Sequence, residues 1–259
     1  MVPQQLLDPI PIPAVFLLMA LLLLVVFEGG FRIGRWWQRK TPEDTEGPTG
    51  VLVGSLLALM GFLLAITMGM ASDRYDARRA LVLQETNAIG TAYLRAGYLP
   101  EEIGVPSRTL LREYAPLRVT TEDPALFVQN VARSEEIHDE LWVLAEQVAR
   151  EQGSDVVALY IESLNEVIDL HTSRVTAGVY ARVPETVLMF LLLGSALTVA
   201  MVGYSAGLTE RRSPLSAVVL IVVLAATLAL VYDLDRPRSG FVQVNQQPLI
   251  DLTNDLGSP

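Results

Sequence analysis

The chain has 259 residues, of which 51% are hydrophobic and 19% charged, a balance too apolar for an ordinary soluble protein and unevenly spread along the chain. Its formal net charge of -10 and isoelectric point near 4.7 argue against nucleic acid as a partner, because phosphate binding needs clustered positive charge. Without cysteine there is no disulfide framework, thiol nucleophile or cysteine metal site.

Taken in chain order, residues 12–31 (IPAVFLLMALLLLVVFEGGF) supply the ~20 apolar residues a membrane-spanning helix needs. The tail before them carries no Lys or Arg, so the basic start of a secretory signal is missing and the segment reads as a retained anchor. The loop RIGRWWQRKTPEDTEGPT follows, with Trp36 and Trp37 as interfacial anchors. Residues 50–71 (GVLVGSLLALMGFLLAITMGMA) form a second span with no ionisable residue. From Pro48 to Pro100 there is no proline, so the apolar run is expected to pass into RYDARRALVLQETNAIGTAYL as one helix of about 50 residues, ~75 Å long.

Residues 72–183 read as an extramembrane helical bundle. Residues 106–118 and 124–152 predict two further helices, and a third begins after Gly153 with Ser154 or Asp155 as its cap. Along it Val157, Ile161, Leu164, Ile168, His171, Val175 and Val179 draw an apolar seam, and the helix is expected to run on to Pro184 and into the third span. That span covers 185–207 (ETVLMFLLLGSALTVAMVGYSAG) and the fourth 215–232 (LSAVVLIVVLAATLALVY); residues 233–259 form a polar tail. The expected domains are thus 1–71 and 184–232, each a transmembrane hairpin, the 72–183 bundle with its two stalks, and the tail. No sustained alternation of period two occurs, which predicts an all-α integral membrane protein with four transmembrane helices and the bundle inserted between spans 2 and 3.

Four spans put both termini on one side with the bundle. The short loops carry Arg32, Arg35, Arg39, Lys40, Arg211 and Arg212, and the positive-inside rule places them in the cytoplasm and the bundle outside. Arginines also flank the spans on the bundle side.

Small residues recur along the second span at Gly54, Ala58, Gly61, Ala65, Gly69 and Ser72, beside the bulkier Phe62. Such a stripe admits two uses: close packing of another helix, or lining the axis of an oligomer. A shorter stripe on the third span, Ala196, Ala200, Gly203 and Gly207, is assigned to packing. Pumps and coupled transporters need ionisable groups at depth, and apart from Glu185 at the very start of the third, the spans hold only Glu28, near one end. Outside the membrane lie Arg74, Arg78 and Arg79, and at the exit of the fourth span Asp233, Asp235, Arg236 and Arg238. They read either as an interfacial ion-pair network or as a collar of arginines around an anion path. Thr86, Asn87 and Thr91 are read as setting helix register through buried hydrogen bonds.

Glu135 and His138 have the spacing of two metal ligands on one helix face, but no second copy exists, and Glu162, Glu166 and Asp169 read as a solvated face. His171 reads as a core histidine. Neither metal nor cofactor is expected, and with no hydrolase triad, phosphate loop or dinucleotide fingerprint, neither is an enzyme.

RYDARRALVLQETNAIGTAYLRAGYLP, SLNEVIDLHTSRV and DLDRPRSGFVQVNQQPL resemble the signature stretches of a bacterial membrane family of unknown function described as bestrophin-like. The resemblance covers the chain from about Gly50 onward. Bestrophins proper are pentameric anion channels whose second span lines the pore, and what the resemblance implies is a bacterial inner-membrane homo-oligomer passing small anions such as chloride. The sequence departs from that pattern in lacking an acidic calcium clasp after the fourth span, with only Asp251 and Asp255 near the end, and in its short-loop charge, which favours the opposite sidedness. The alternative reading is a non-conducting, membrane-anchored helical bundle that senses a ligand or binds a partner.

Overall fold

A computed structural model describes residues 7–41, 49–209, 213–237 and 239–257. Its elements are α1 (Ile12–Lys40), α2 (Thr49–Ala96), α3 (Glu101–Leu117), α4 (Pro124–Glu151), α5 (Asp155–Val179), α6 (Glu185–Leu208), α7 (Pro214–Asp235) and α8 (Gln247–Leu256). Among the described residues there is no strand. α1, α2, α6 and α7 are each long and apolar enough to cross a membrane. The long second helix holds 48 residues and passes unbroken through Met70–Asp76.

The chain divides into two compact units. The first comprises Met1–Arg74, Arg182–Arg236 and Gly240–Val242; the second comprises Tyr75–Ala181, Pro237–Ser239 and Gln243–Pro259. In the first unit α1 is seated on α6, with α7 beside it. The seam is built from glycines: a Cβ added at Gly30 would stand 2.1 Å from the carbonyl oxygen of Ala200, and one at Gly203 2.2 Å from that of Phe27. Gly34 and Gly207 repeat the arrangement one turn on, so the two backbones touch where side chains would hold them apart. The first span is thus packed intimately on the third, where two small-residue stripes meet. Val15, Met19, Leu23 and Phe27 of α1 join Met60 and Leu64 of α2, Leu191 and Val199 of α6, and Ile221 and Ala225 of α7 in one apolar cluster.

The second unit is a helical bundle around Ile89, Leu111, Tyr114, Ile137, Leu141, Tyr160 and Leu164, all fully buried. Its helices begin where local chemistry allows. Asp123 caps α4 by accepting from the N–H groups of Ala125 and Leu126 at 2.8 and 3.4 Å, and Ser154 caps α5 by accepting from Val157 N–H at 3.4 Å.

Three boundaries differ from the sequence expectation. α3 starts at Glu101 rather than 106 and carries Pro106 and Pro116 inside it, each at the loss of one helical N–H bond. α5 does not run into the third span. It ends at Val179, and residues 180–184 are non-helical, because Pro184 disfavours the α region for its predecessor; the N–H of Val183 instead donates to Asp235 Oδ1 at 2.7 Å. The polar tail contains α8, whose Leu249 is fully buried with Leu252 and Leu256 packed at the same core.

Candidate functional site

The predicted site residues fall into three groups. On α2 the small stripe is open: Gly54, Ala58, Gly61, Phe62, Ala65 and Gly69 are exposed and Ser72 is half-buried, and a Cβ built on Gly54, Gly61 or Gly69 meets nothing within 4 Å. The buried positions of this stretch are Met60, Leu64, Thr67 and Ala71, about a third of a turn around the helix. Within a single chain, then, the glycines of the stripe meet no described neighbour.

The second group is the exit of α7, where acids and arginines are spent on tying down chain ends. Asp233 accepts from the N–H groups of Phe241 and Val242 at 2.9 and 3.0 Å. Gly240 makes this turn possible: its φ of 121° suits glycine, and a Cβ there would lie 2.0 Å from Asp233 Oδ1. Asp235 accepts from Arg182 Nε at 3.1 Å, and the same guanidinium grips Asp8 through Nη1 at 2.5 Å and Nη2 at 3.0 Å. Arg236 donates to the carbonyls of Leu7 and Ile10 at 2.6 and 2.8 Å. Arg211, Arg212 and Arg238 lie outside the described residues.

The three arginines that follow the second span part company: Arg79 is exposed, Arg74 half-buried and Arg78 buried. Arg78 sits at a step of four before Val82, on the buried face that continues through Glu85, Ile89, Ala92 and Ala96.

Glu85, which the sequence reading passed over, centres the third group. Its side chain is wholly buried. Arg118 Nε donates to Oε1 at 2.8 Å, Arg174 Nη1 to Oε2, and the Tyr114 hydroxyl to Oε1 at 3.3 Å. Burial pulls the Glu85 carboxyl upward, but Arg118 and Arg174 outweigh it and hold the group below its ordinary value. Against Tyr114 lie the two histidines, which the fold brings into T-shaped contact with ring centres 4.8 Å apart. Burial, then the charge of Arg118, lowers His138 to about 4 and His171 to about 3; burial also raises the Tyr114 phenol. Glu135 faces solvent while His138 faces inward, and Glu162, Glu166 and Asp169 are exposed, so these carboxylates and the histidines do not converge. Thr86 bonds back to the Val82 carbonyl at 2.7 Å and Asn87 is exposed; the fully buried polar side chain of this turn is Glu85.

Comparison with known proteins agrees with this architecture. A family model described as a bestrophin-like domain matches residues 20–249. Among solved structures, a bacterial bestrophin homologue from Klebsiella pneumoniae superposes with a TM-score of 0.59 at 14% identity, covering 93% of this chain and 94% of that one. Two mutant forms of that homologue give 0.62 at 16% identity, with 93% and 94% covered, and 0.60 at 18%, with 93% and 95% covered. No curated protein matches the sequence. With its four spans, its inserted bundle and a family match over most of its length, the chain belongs to the bestrophin-like family of multi-pass membrane proteins.

Proposed function

We propose that this protein assembles as a homo-oligomer and conducts small anions such as chloride, with α2 lining the axis. The observation that carries the reading is the open stripe of α2: an apolar span whose exposed glycines meet no other described part of the chain is suited to a narrow path shared with symmetry mates. In this reading Phe62, the bulkiest exposed side chain among the glycines, is the constriction, Ala58, Gly61, Ala65 and Gly69 leave room for a dehydrating ion, and Gly54 and Ser72 bound the path. Arg74 and Arg79 draw anions to its mouth, each charge multiplied by symmetry. Arg78, buried, belongs to the bundle; Asp233, Asp235 and Arg236 belong to a hydrogen-bonded network rather than to the collar.

Purified protein in chloride-loaded liposomes should release chloride, and Arg74→Gln with Arg79→Gln should slow release several-fold without changing insertion. Tight vesicles with normally inserted protein would sink the proposal. In the bacterial inner membrane the short loops are cytoplasmic and the bundle extracytoplasmic. Since the chain has no cysteine, single cysteines at Glu101 and Lys40 test this: an impermeant maleimide should label only the first in intact spheroplasts, and the reverse pattern inverts the assignment.

A second reading, a non-conducting ligand-binding module, is favoured by the cavity in the second unit. Particle imaging separates the two, since a ring of five or so subunits favours conduction and a monomer or dimer favours the module.

A further inference from the structure

Within the second unit, α2, α4 and α5 and the segments after α3 and α7 enclose a cavity of about 70 Å³. Its charged lining consists of three guanidinium groups, those of Arg78, Arg118 and Arg174; no carboxylate among the described residues lines it. Glu85 stands behind the wall with both oxygens already engaged by Arg118, Arg174 and Tyr114. Glu85 thus sets one negative charge against the two guanidiniums of Arg118 and Arg174, and a buried excess of positive charge is costly unless an anion completes it.

The individual guanidiniums are not equivalent. Arg174 is committed: Nη1 donates to Glu85 and to the Arg118 carbonyl at 3.2 Å, and Nη2 to Thr120 Oγ1 and Gln246 Oε1 at 3.4 and 3.3 Å. Arg118 is not. Its side chain is 6% exposed, its Nε serves Glu85, and among the described residues neither of its terminal nitrogens has an acceptor. A buried guanidinium with its free edge on a cavity is half of a bidentate pair. The lining also includes Leu81, Val82, Phe127 and Val131, apolar side chains that call for hydrocarbon.

We propose that this cavity binds a small carboxylic acid, its carboxylate seated on the terminal nitrogens of Arg118 and its short apolar body against Phe127 and Val131. The planar fork matches a carboxylate better than a spherical halide, and the cavity is too small for a nucleotide. The proposal rests on the packing of the second unit alone and holds whether or not the protein conducts.

The test uses the full-length protein in nanodiscs and saturation-transfer NMR with butyrate, its neutral analogue butyramide, and inorganic phosphate. Butyrate should bind saturably in the millimolar range and butyramide at least tenfold more weakly. Arg118→Met should reduce butyrate binding at least tenfold. Because that change also disturbs Glu85, Val131→Glu, which introduces a carboxylate at a half-buried wall position, should do the same in a protein of unchanged helicity. Butyrate no better than butyramide, or binding indifferent to Val131→Glu, overturns the proposal. Phosphate outcompeting butyrate overturns the carboxylate assignment in favour of a tetrahedral oxyanion. Binding is read without an ion gradient, so its failure leaves the conduction result untouched, and the converse also holds.

Discussion

Replacing Glu85 with Gln removes one negative charge and almost no volume. The side chain is fully buried and its two arginine partners are 6% and 10% exposed, so water cannot take over the carboxylate's role. A glutamine offers one carbonyl oxygen, enough for Arg118 or Arg174, and turns an NH₂ group toward the other guanidinium. Breaking a buried ion pair from one side costs about 3–5 kcal/mol, and the loss of charge on two hydrogen bonds, at about 1.5–3 kcal/mol each, gives the same range. At about 1.4 kcal/mol per factor of ten, the bundle should open several hundred-fold more often. Hydrogen exchange read by mass spectrometry on the full-length protein localises the effect: protection of α2 residues 82–96 and α4 residues 137–148 should fall by that factor, while α1 and α6 keep theirs. Converting Glu85, Arg118 and Arg174 together to Met should recover much of the loss, since it is the stranded charges that destabilise. If Glu85→Gln leaves bundle protection within threefold of the parent, the cluster contributes little and the reasoning fails.

Acid should loosen the same unit before the carboxylates protonate. Folding lowers His138 to about 4 and His171 to about 3, against about 6.5 when unfolded, so the unfolded chain binds more protons between those values. The stabilisation is complete above pH 6.5 and drains away as pH falls, amounting to a few kcal/mol by pH 4. Exchange protection of the bundle should therefore decline from pH 6.5 to 5 after correction for the intrinsic rate, and a flat profile, or one unchanged by His138→Leu with His171→Leu, would contradict this. In the first unit, Gly203→Ala pushes a methyl into the Phe27 carbonyl and should cost roughly 1–3 kcal/mol or more. Gly61→Ala, with open space around it, should leave the subunit fold intact. Equal losses of thermal stability in detergent would refute the distinction.

How legible each feature was depended on how far apart in sequence its parts lie. The spans could be read directly, because a bilayer demands a contiguous apolar run, and the stripe of α6 could be assigned to packing from its own spacing. Its partner on α1 was harder to see: Gly30 and Gly34 lie in a segment dominated by leucine. The break at residues 180–184 was signalled by Pro184, but the apolar seam running up to it suggested continuity. Glu85 was hidden by its type, since a glutamate in an Arg-rich helix reads as solvated; its steps of three and four from Val82 and Ile89 were the available signal. Arg118 and Arg174 could not be attached to it from sequence, lying 33 and 89 positions away. The cavity exists only once segments from five parts of the chain have come together.

The glycine seam between α1 and α6 also bears on how the protein is made. A ribosome adds roughly 5–20 residues per second, so α1 enters the bilayer and waits on the order of ten seconds, while α2 to α5 are synthesised, before its counterpart emerges. Throughout that interval its notch faces lipid. A nascent chain stalled before α6 would therefore carry an orphaned groove, a mark by which a membrane protease or chaperone can tell unfinished copies from finished ones.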